Sequence, residues 1–389
     1  METELQPETL LQHYAEENKP FGAVVPPIFQ NSLFVFPDCE SLWDAMNNHP
    51  AGPPYHYSRM ANPTLDIAER KIAMLEGMES AKLFSGGMAA ISTAILNVVQ
   101  AGSHCVVADT CYGPVRLMFE QMLPRYGVSH TFVDGRSVAA VADAIKPETS
   151  LIYLESPSSF VFRLQDLAAI ARLAGEKGIV TICDNTNATP LFQNPGRLGV
   201  DIVVHSATKY LAGHSDVTGG VVCCSRERMD SILRREVSIL SSTMAPFAAW
   251  LLLRGMRTLR LRVEAHQRSA QLVAEWLSKS IEVEEVYYTG LASFPQKQLY
   301  ESQMSGSTSL VTFQPKCQDP EYVKRLADAA RIFQIGVSWG GFESLIVPLS
   351  VHPQDWPEAR LLIRLHVGLE SPIDLIRDLE WSFSQARGQ

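Results

Sequence analysis

The chain has no excess of basic charge, few cysteines and no long apolar run, and each shortage narrows what it can be. Its 33 lysines and arginines against 42 acidic residues give a formal charge of -9. No block of one sign interrupts that balance, so it offers no electrostatic footprint for nucleic acid or an anionic membrane. Small molecules are the expected partners. No apolar stretch approaches the roughly 20 residues that span a bilayer, and the opening METELQPE lacks a basic-then-apolar leader. A cytoplasmic location is expected. The seven cysteines, Cys39, Cys105, Cys111, Cys183, Cys223, Cys224 and Cys317, are odd in number and mostly sit in apolar strand-like runs. That pattern fits free thiols in a reducing compartment rather than a disulfide framework. Internal repeats and low-complexity tracts are missing too, and no histidine or cysteine spacing suggests a zinc or iron site.

What is present is enough for an enzyme: 389 residues, 46% of them apolar, can bury a large core. Residues up to about Met60 carry aromatics and the breakers Pro26-Pro27 and Pro53-Pro54 but little periodicity, as in an arm that packs on something else. From Ala81, short apolar runs (AKLFSG, HCVVAD, SLIYLES, IVTICDN, DIVVHSA and GGVVCCS) alternate with helix-like segments at 87–99, 115–126 and 167–176. The alternation predicts an α/β fold with a mostly parallel sheet covered on both faces. From about Phe247 the rhythm changes to a long helical pattern through Ser278, then strands SLVTFQ and LIRLHVG and helices at 320–331 and 373–383. The predicted division is an arm (1–60), a sheet domain (61–246) and a smaller α/β domain (247–389).

The most informative stretch is DIVVHSATKYLAGHSDVTGG, Asp201 to Gly220, in which a strand-like run ends in a polar turn presenting Lys209. Burial lowers the pKa of an amine, so a lysine placed there is suited to forming an imine with an aldehyde. Ser206 and Thr208 flank it with hydroxyls that can bind a phosphate. Asp184 follows the run IVTIC, and a pyridoxal phosphate site needs an acid facing the pyridine nitrogen. In parallel sheets ligands bind beyond the carboxyl ends of strands, where Asp184 and Lys209 fall. Ser85-Gly86-Gly87-Met88 lies between a strand-like and a helix-like run, so its amides can point at an anion. Alone it reads as a tight turn; joined to Ser206 and Thr208 it reads as a phosphate cradle. Tyr112 is either a core tyrosine or a ring laid on a flat cofactor. Arg59, in Tyr57-Ser58-Arg59, is a surface residue or a phosphate ligand. Arg364, a charge within the apolar strand LIRLHVG, requires an anion, either a structural carboxylate or that of a substrate. His205 and His214 read as structural, His266 and His366 have no evident partners, and the charges along 255–275 read as a solvated helix face.

Taken together, SATKYLAGHSDVTGG, CDNT, YSRMANPT, FSGGMAA, RGMRTL and SWGGFESL, in this order but for CDNT, YSRMANPT and FSGGMAA preceding the first, resemble the Cys/Met-metabolism family of pyridoxal-phosphate enzymes. That family includes cystathionine β-lyase, cystathionine γ-synthase and γ-lyase, and methionine γ-lyase. The resemblance spans nearly the whole chain. It implies fold type I, with a mostly parallel seven-stranded sheet, and a homotetramer of two tight dimers whose sites are shared across each dimer interface. It implies that Lys209 holds pyridoxal 5'-phosphate and then moves the substrate proton, that Asp184 pairs with the pyridine nitrogen and that Tyr112 stacks on the ring. Gly87, Met88, Ser206 and Thr208 would bind the phosphate, joined by Tyr57 and Arg59 from the neighbouring subunit. Arg364 would grip the substrate carboxylate beside Ser338 and Trp339.

Within the family, Trp339 and Ser159 resemble bacterial cystathionine β-lyases, whereas YSRMANPT is closer to γ-acting members. Ser238 stands where the bacterial β-lyases would carry a tyrosine. The expected reaction is α,β-elimination of cystathionine or a related thioether amino acid to a thiol, pyruvate and ammonia. Its rival is γ-elimination or γ-replacement on cystathionine, methionine, an O-substituted homoserine or a guanidinooxy amino acid such as canavanine. A non-catalytic binding protein of the same fold would be expected to lose the amine or its acid, and both Lys209 and Asp184 are present.

Overall fold

The computed structural model describes residues 5–48 and 53–387, so residues 1–4 and 49–52 of the predicted arm and 388–389 of the predicted last domain lie outside the described residues. Seven strands form the first sheet: β1 Ser80–Phe84, β2 His104–Ala108, β3 Ser129–Val133, β4 Thr149–Glu155, β5 Val180–Asp184, β6 Ile202–His205 and β7 Gly220–Cys224. Their order is β1-β7-β6-β5-β4-β2-β3. Pairings β2/β3, β2/β4, β4/β5 and β5/β6 are parallel, while β7 runs antiparallel to both β1 and β6. Six of the seven strands therefore point the same way, and the turns after β1, β2, β4, β5 and β6 open on one edge. Six strands match the apolar runs of the sequence. The seventh, β3, is an edge strand of sequence SHTFV, whose partial exposure leaves no continuous apolar run to find.

Helices cover both faces because each has an apolar stripe. Gly87–Val98 buries Ala90, Ile91, Ala94 and Ile95 on one face. Pro63–Glu76 buries Leu65, Ala68 and Ile72 on the other. Its start is fixed by Asn62, whose side chain accepts from the Thr64 amide, and by Pro63; it stops at Gly77, whose φ of 70° is the left-handed conformation that glycine tolerates. The expected helix from Val115 to Tyr126 is instead Gly113–Leu117 followed by a π turn and a 3₁₀ turn. Pro124 explains the difference, since it has no N–H for the helical ladder and its ring crowds the preceding turn.

The smaller sheet has the order β10-β11-β12-β9-β8, with β8 Val283–Tyr287, β9 Leu310–Pro315, β10 Gln334–Ile335, β11 Leu345–Val351 and β12 Arg360–His366. The core of the large domain runs on through Leu252, Met256, Leu259 and Val263, and that of the small domain begins at Ala270. Helix Leu259–Leu277 thus belongs to both cores. At the other end, helix Pro7–His13 buries Leu10 and Leu11 in the large domain. Glu16 fixes it there, 2.9 Å from both the buried Lys71 and Arg257. The first part of the expected arm is therefore folded onto its own chain; beyond it, Phe21, Val24, Leu33, Val35 and Trp43 remain exposed.

Candidate active site

A cavity of about 400 Å³ opens at the carboxyl edge of the large sheet and is closed on its other side by the small domain. Five turns meet there. From β1 come Gly86, Gly87 and Met88; from β2, Tyr112; from β4, Glu155, Ser159 and Phe160; from β5, Asp184 and Thr186; from β6, Ser206, Thr208 and Lys209. The small domain contributes Leu310, Val337, Trp339 and Arg364.

Lys209 is largely buried, and its Nζ donates to Ser338 Oγ at 2.7 Å and lies 5.3 Å from the centre of the Trp339 ring. Loss of hydration, and secondarily the positive charge of Arg364, lower its pKa from 10.5 to about 8. The amine is therefore a usable nucleophile and base near neutral pH. Arg364 is 9% exposed and donates to the carbonyls of Val337 at 2.7 Å and Ser338 at 3.5 Å. Burial lowers its pKa to about 10. Its Nε is buried without a hydrogen bond, and among the described residues no carboxylate forms an ion pair with it. Of the two anions that the sequence leaves open for Arg364, a structural carboxylate is thus missing.

Asp184 accepts from the Thr186 amide at 2.9 Å and from the Thr186 hydroxyl. Burial raises its pKa. Glu155, which sequence reasoning missed, is its neighbour in register across β4 and β5. Glu155 accepts from the Tyr112 amide at 2.7 Å and from the Ser159 hydroxyl at 2.5 Å. Burial, then the charge of Asp184, push Glu155 up to about 8. The signal was available, because SLIYLE ends an apolar strand on a carboxylate just as IVTICD does.

The residues fit a phosphorylated, flat, cationic-ring cofactor. The helix Gly87–Val98 has no side-chain cap, so its first amides are free to meet an anion at the cavity wall. Gly87 packs so closely on Ser206 that a Cβ would fall 2.9 Å from Ser206 Cβ and Oγ. A side chain there would fill the cradle. Thr208 Oγ1 accepts from the Gly219 amide at 3.0 Å, which aligns the turn. Asp184 lines the cavity as an acid that would suit a ring nitrogen, and Tyr112 presents a half-exposed ring at the mouth.

Not every expected residue converges within one chain. Tyr57 and Arg59 lie outside the cavity; Arg59 stacks on Tyr57 at 5.4 Å and donates to the Ser238 carbonyl at 2.8 Å. His205 is structural, its Nε2 2.5 Å from the buried Glu76, which also accepts from the Asn185 side chain at 2.9 Å. Glu76 lies outside every motif, and nothing in the helix that carries it distinguishes it from a surface acid. His214 reaches the Ala212 carbonyl at 2.8 Å. His266 and His366 do have partners, contrary to expectation: His266 Nδ1 meets the Val367 carbonyl at 2.9 Å, and His366 contacts Ser309 and Gly340.

Fold and site together define a pyridoxal 5'-phosphate-dependent enzyme of fold type I. The model of the Cys/Met metabolism PLP-dependent enzyme family matches residues 8–384, and the chain belongs to that family. It is 41% identical over 373 residues to an L-methionine gamma-lyase of Porphyromonas gingivalis, covering 92% of each chain. It is 37% identical over 385 residues to a cystathionine beta-lyase of Coxiella burnetii, covering 96% of each. Among solved structures, metB from Corynebacterium glutamicum superposes with a TM-score of 0.89 at 29% identity, covering 99% of both chains.

Proposed function

We propose that the protein is a carbon–sulfur lyase that removes the β-thiolate of cystathionine or a related thioether amino acid, giving a thiol, pyruvate and ammonia. The observation that carries this reading is the pairing of a deprotonatable amine, Lys209, with a buried guanidinium, Arg364, that lacks a protein carboxylate. An α-amino acid has the complementary pair of groups.

When bound, pyridoxal 5'-phosphate supplies an electron sink that makes the substrate Cα–H acidic. In this assignment Gly87, Met88, Ser206 and Thr208 hold its phosphate, with Tyr57 and Arg59 arriving from a second subunit, and Asp184 holds its ring nitrogen protonated. Arg364 receives the substrate carboxylate and so fixes which Cα bond faces Lys209. Lys209, once free, takes the Cα proton, and its lowered pKa suits that task. Tyr112 at the cavity mouth would lie against the cofactor ring and donate to the leaving sulfur. Cleavage of Cβ–S releases R–SH, and water completes the conversion of the three-carbon remainder to pyruvate and ammonia. Trp339 beside Nζ leaves less room than a small aliphatic side chain for the second proton abstraction, at Cβ, that γ-chemistry requires.

The second reading, γ-elimination, is favoured by the 41% identity to a methionine γ-lyase. Cystathionine separates the two. Pyruvate with homocysteine supports β-elimination, whereas 2-oxobutanoate with cysteine overturns it. If cystathionine is inert, methionine, O-substituted homoserines and canavanine form the next panel. We further assign the protein to the cytoplasm as a homotetramer of two tight dimers. The exposed apolar side chains beyond Glu17 support association with a further subunit, which would cover them.

A further inference from the structure

The turn Ser338–Gly341 carries two of the groups nearest Lys209, yet it belongs to no strand or helix. What holds it is a closed ring of contacts. Lys209 Nζ meets Ser338 Oγ at 2.7 Å. Two residues on, the Gly340 amide donates to His366 Nε2 at 3.1 Å. His366 Nδ1 lies 2.5 Å from Ser309 Oγ, and Ser309 Oγ lies 2.5 Å from the hydroxyl of Tyr210, the residue after Lys209. The Ser309 amide donates to the same hydroxyl at 3.0 Å. Gly340 completes the fit, with φ of +88° and so close to the lysine that a Cβ would fall 2.7 Å from the Tyr210 nitrogen. Inside the ring, the Trp339 indole packs 5.3 Å from both the Tyr210 ring and Nζ.

We propose that His366 is a positioning residue: by joining the Gly340 amide to the Tyr210–Ser309 pair, it sets Ser338 and Trp339 against Lys209 and so shapes the substrate wall. Strand β12 does this with alternate residues, because Arg364 and His366 share one face. Arg364 holds the Val337 end of the turn and His366 the Gly340 end. Nε2 also lies 3.1 Å from the Gly341 carbonyl. A neutral ring offers Nε2 either a lone pair for Gly340 or a proton for Gly341, not both. The Gly340 amide can only donate and so requires that lone pair; the proton then sits on Nδ1, where Ser309 Oγ is there to accept it. Burial together with the nearby His266, Arg364 and Lys209 keeps the imidazole neutral.

The kinetic part of the test rests on the lyase activity proposed above, so a second readout is independent of it. In the holoenzyme, His366→Ala should raise KM for the turned-over thioether amino acid about tenfold, as expected for one buried hydrogen-bonded link, with a smaller change in kcat. His366→Gln, whose amide can reach Gly340, should recover most of that loss. Equal kinetics for the wild type and His366→Ala, or equal loss in the Ala and Gln variants, would overturn the proposal. If His366→Ala does not fold, Ser309→Ala keeps the imidazole but cuts its tautomer partner. It should show the same KM rise to a lesser degree; wild-type KM there would refute the mechanism. The second readout is the emission of Trp339, taken as the difference between each protein and its Trp339→Phe counterpart. His366→Ala should shift that component to the red by exposing the indole, and an unmoved component counts against the proposal even if no substrate is ever found.

Discussion

Replacing Lys209 by methionine should make the cofactor-free protein more stable at neutral pH, although it deletes a hydrogen bond. The reasoning starts from the lowered pKa of the amine, about 8 against 10.5. Below both values the amine is protonated whether the chain is folded or not, and the folded state bears the whole penalty of a poorly hydrated ammonium. That difference corresponds to about 3 kcal/mol. Loss of the bond to Ser338 subtracts about 1 kcal/mol, leaving a net gain of about 2 kcal/mol at pH 7. The sign follows from proton counting. Between pH 8 and 10.5 the unfolded chain holds the proton and the native chain releases it, so wild-type stability rises with pH relative to the variant. The advantage of Lys209→Met should shrink through that window and reverse near about pH 10, where only the lost hydrogen bond remains. Urea denaturation of both apoproteins at a series of pH values measures the gap. A wild type more stable at pH 7, or a gap that does not change with pH, would refute the account of how this amine is activated.

Two further outcomes test the surroundings of the amine. Asp184→Asn preserves shape but removes the charge assigned above to the ring nitrogen; turnover of the holoenzyme should fall by about a hundredfold or more while far-UV circular dichroism is unchanged, and near-normal turnover would contradict the assignment of Asp184. Glu76→Ala leaves the buried His205 without its carboxylate partner and the Asn185 side chain with only the Gln193 carbonyl, and should cost about 2–3 kcal/mol in urea denaturation, with Glu76→Gln costing less; a loss below about 1 kcal/mol would show that water replaces the carboxylate.

Much of the fold was legible because its central strands are apolar throughout, as strands covered on both faces must be. Strands β2, β4, β5, β6 and β7 each read as a short run of valine, isoleucine, leucine and cysteine, and all five are buried. The edge strand β1, buried at four of its five positions, was legible too, but the exposed edge elements were not. Strand β3 has only one neighbour, β8 is half exposed and β10 has two exposed residues, so none imposes a continuous pattern. The first helix was missed for another reason: seven residues are too few to show a period, and its place is fixed by Leu10, Leu11 and Glu16 meeting residues far along the chain.

The same distinction divides the site. Lys209, Asp184 and Arg364 stood out in the sequence because each is a charge placed in or just after an apolar strand, and burial of a charge demands a partner that the neighbouring residues do not supply. Lys209 has only a neutral hydroxyl and an indole, and Arg364 has two carbonyls. In the proposed assignment a substrate carboxylate would meet at Arg364 a guanidinium already desolvated, so little reorganisation would accompany binding. Glu155 obeys the rule equally, since SLIYLE ends on a carboxylate as IVTICD does, and its partners are the Tyr112 amide and the Ser159 hydroxyl. It is tied to Asp184. After burial, the charge of Asp184 is what raises the pKa of Glu155, and a cation held against Asp184 would relieve that repulsion. In the assignment proposed above, the cationic ring of the cofactor would meet Asp184, and Glu155 beside it keeps Tyr112 in place through the bond it accepts from the Tyr112 amide.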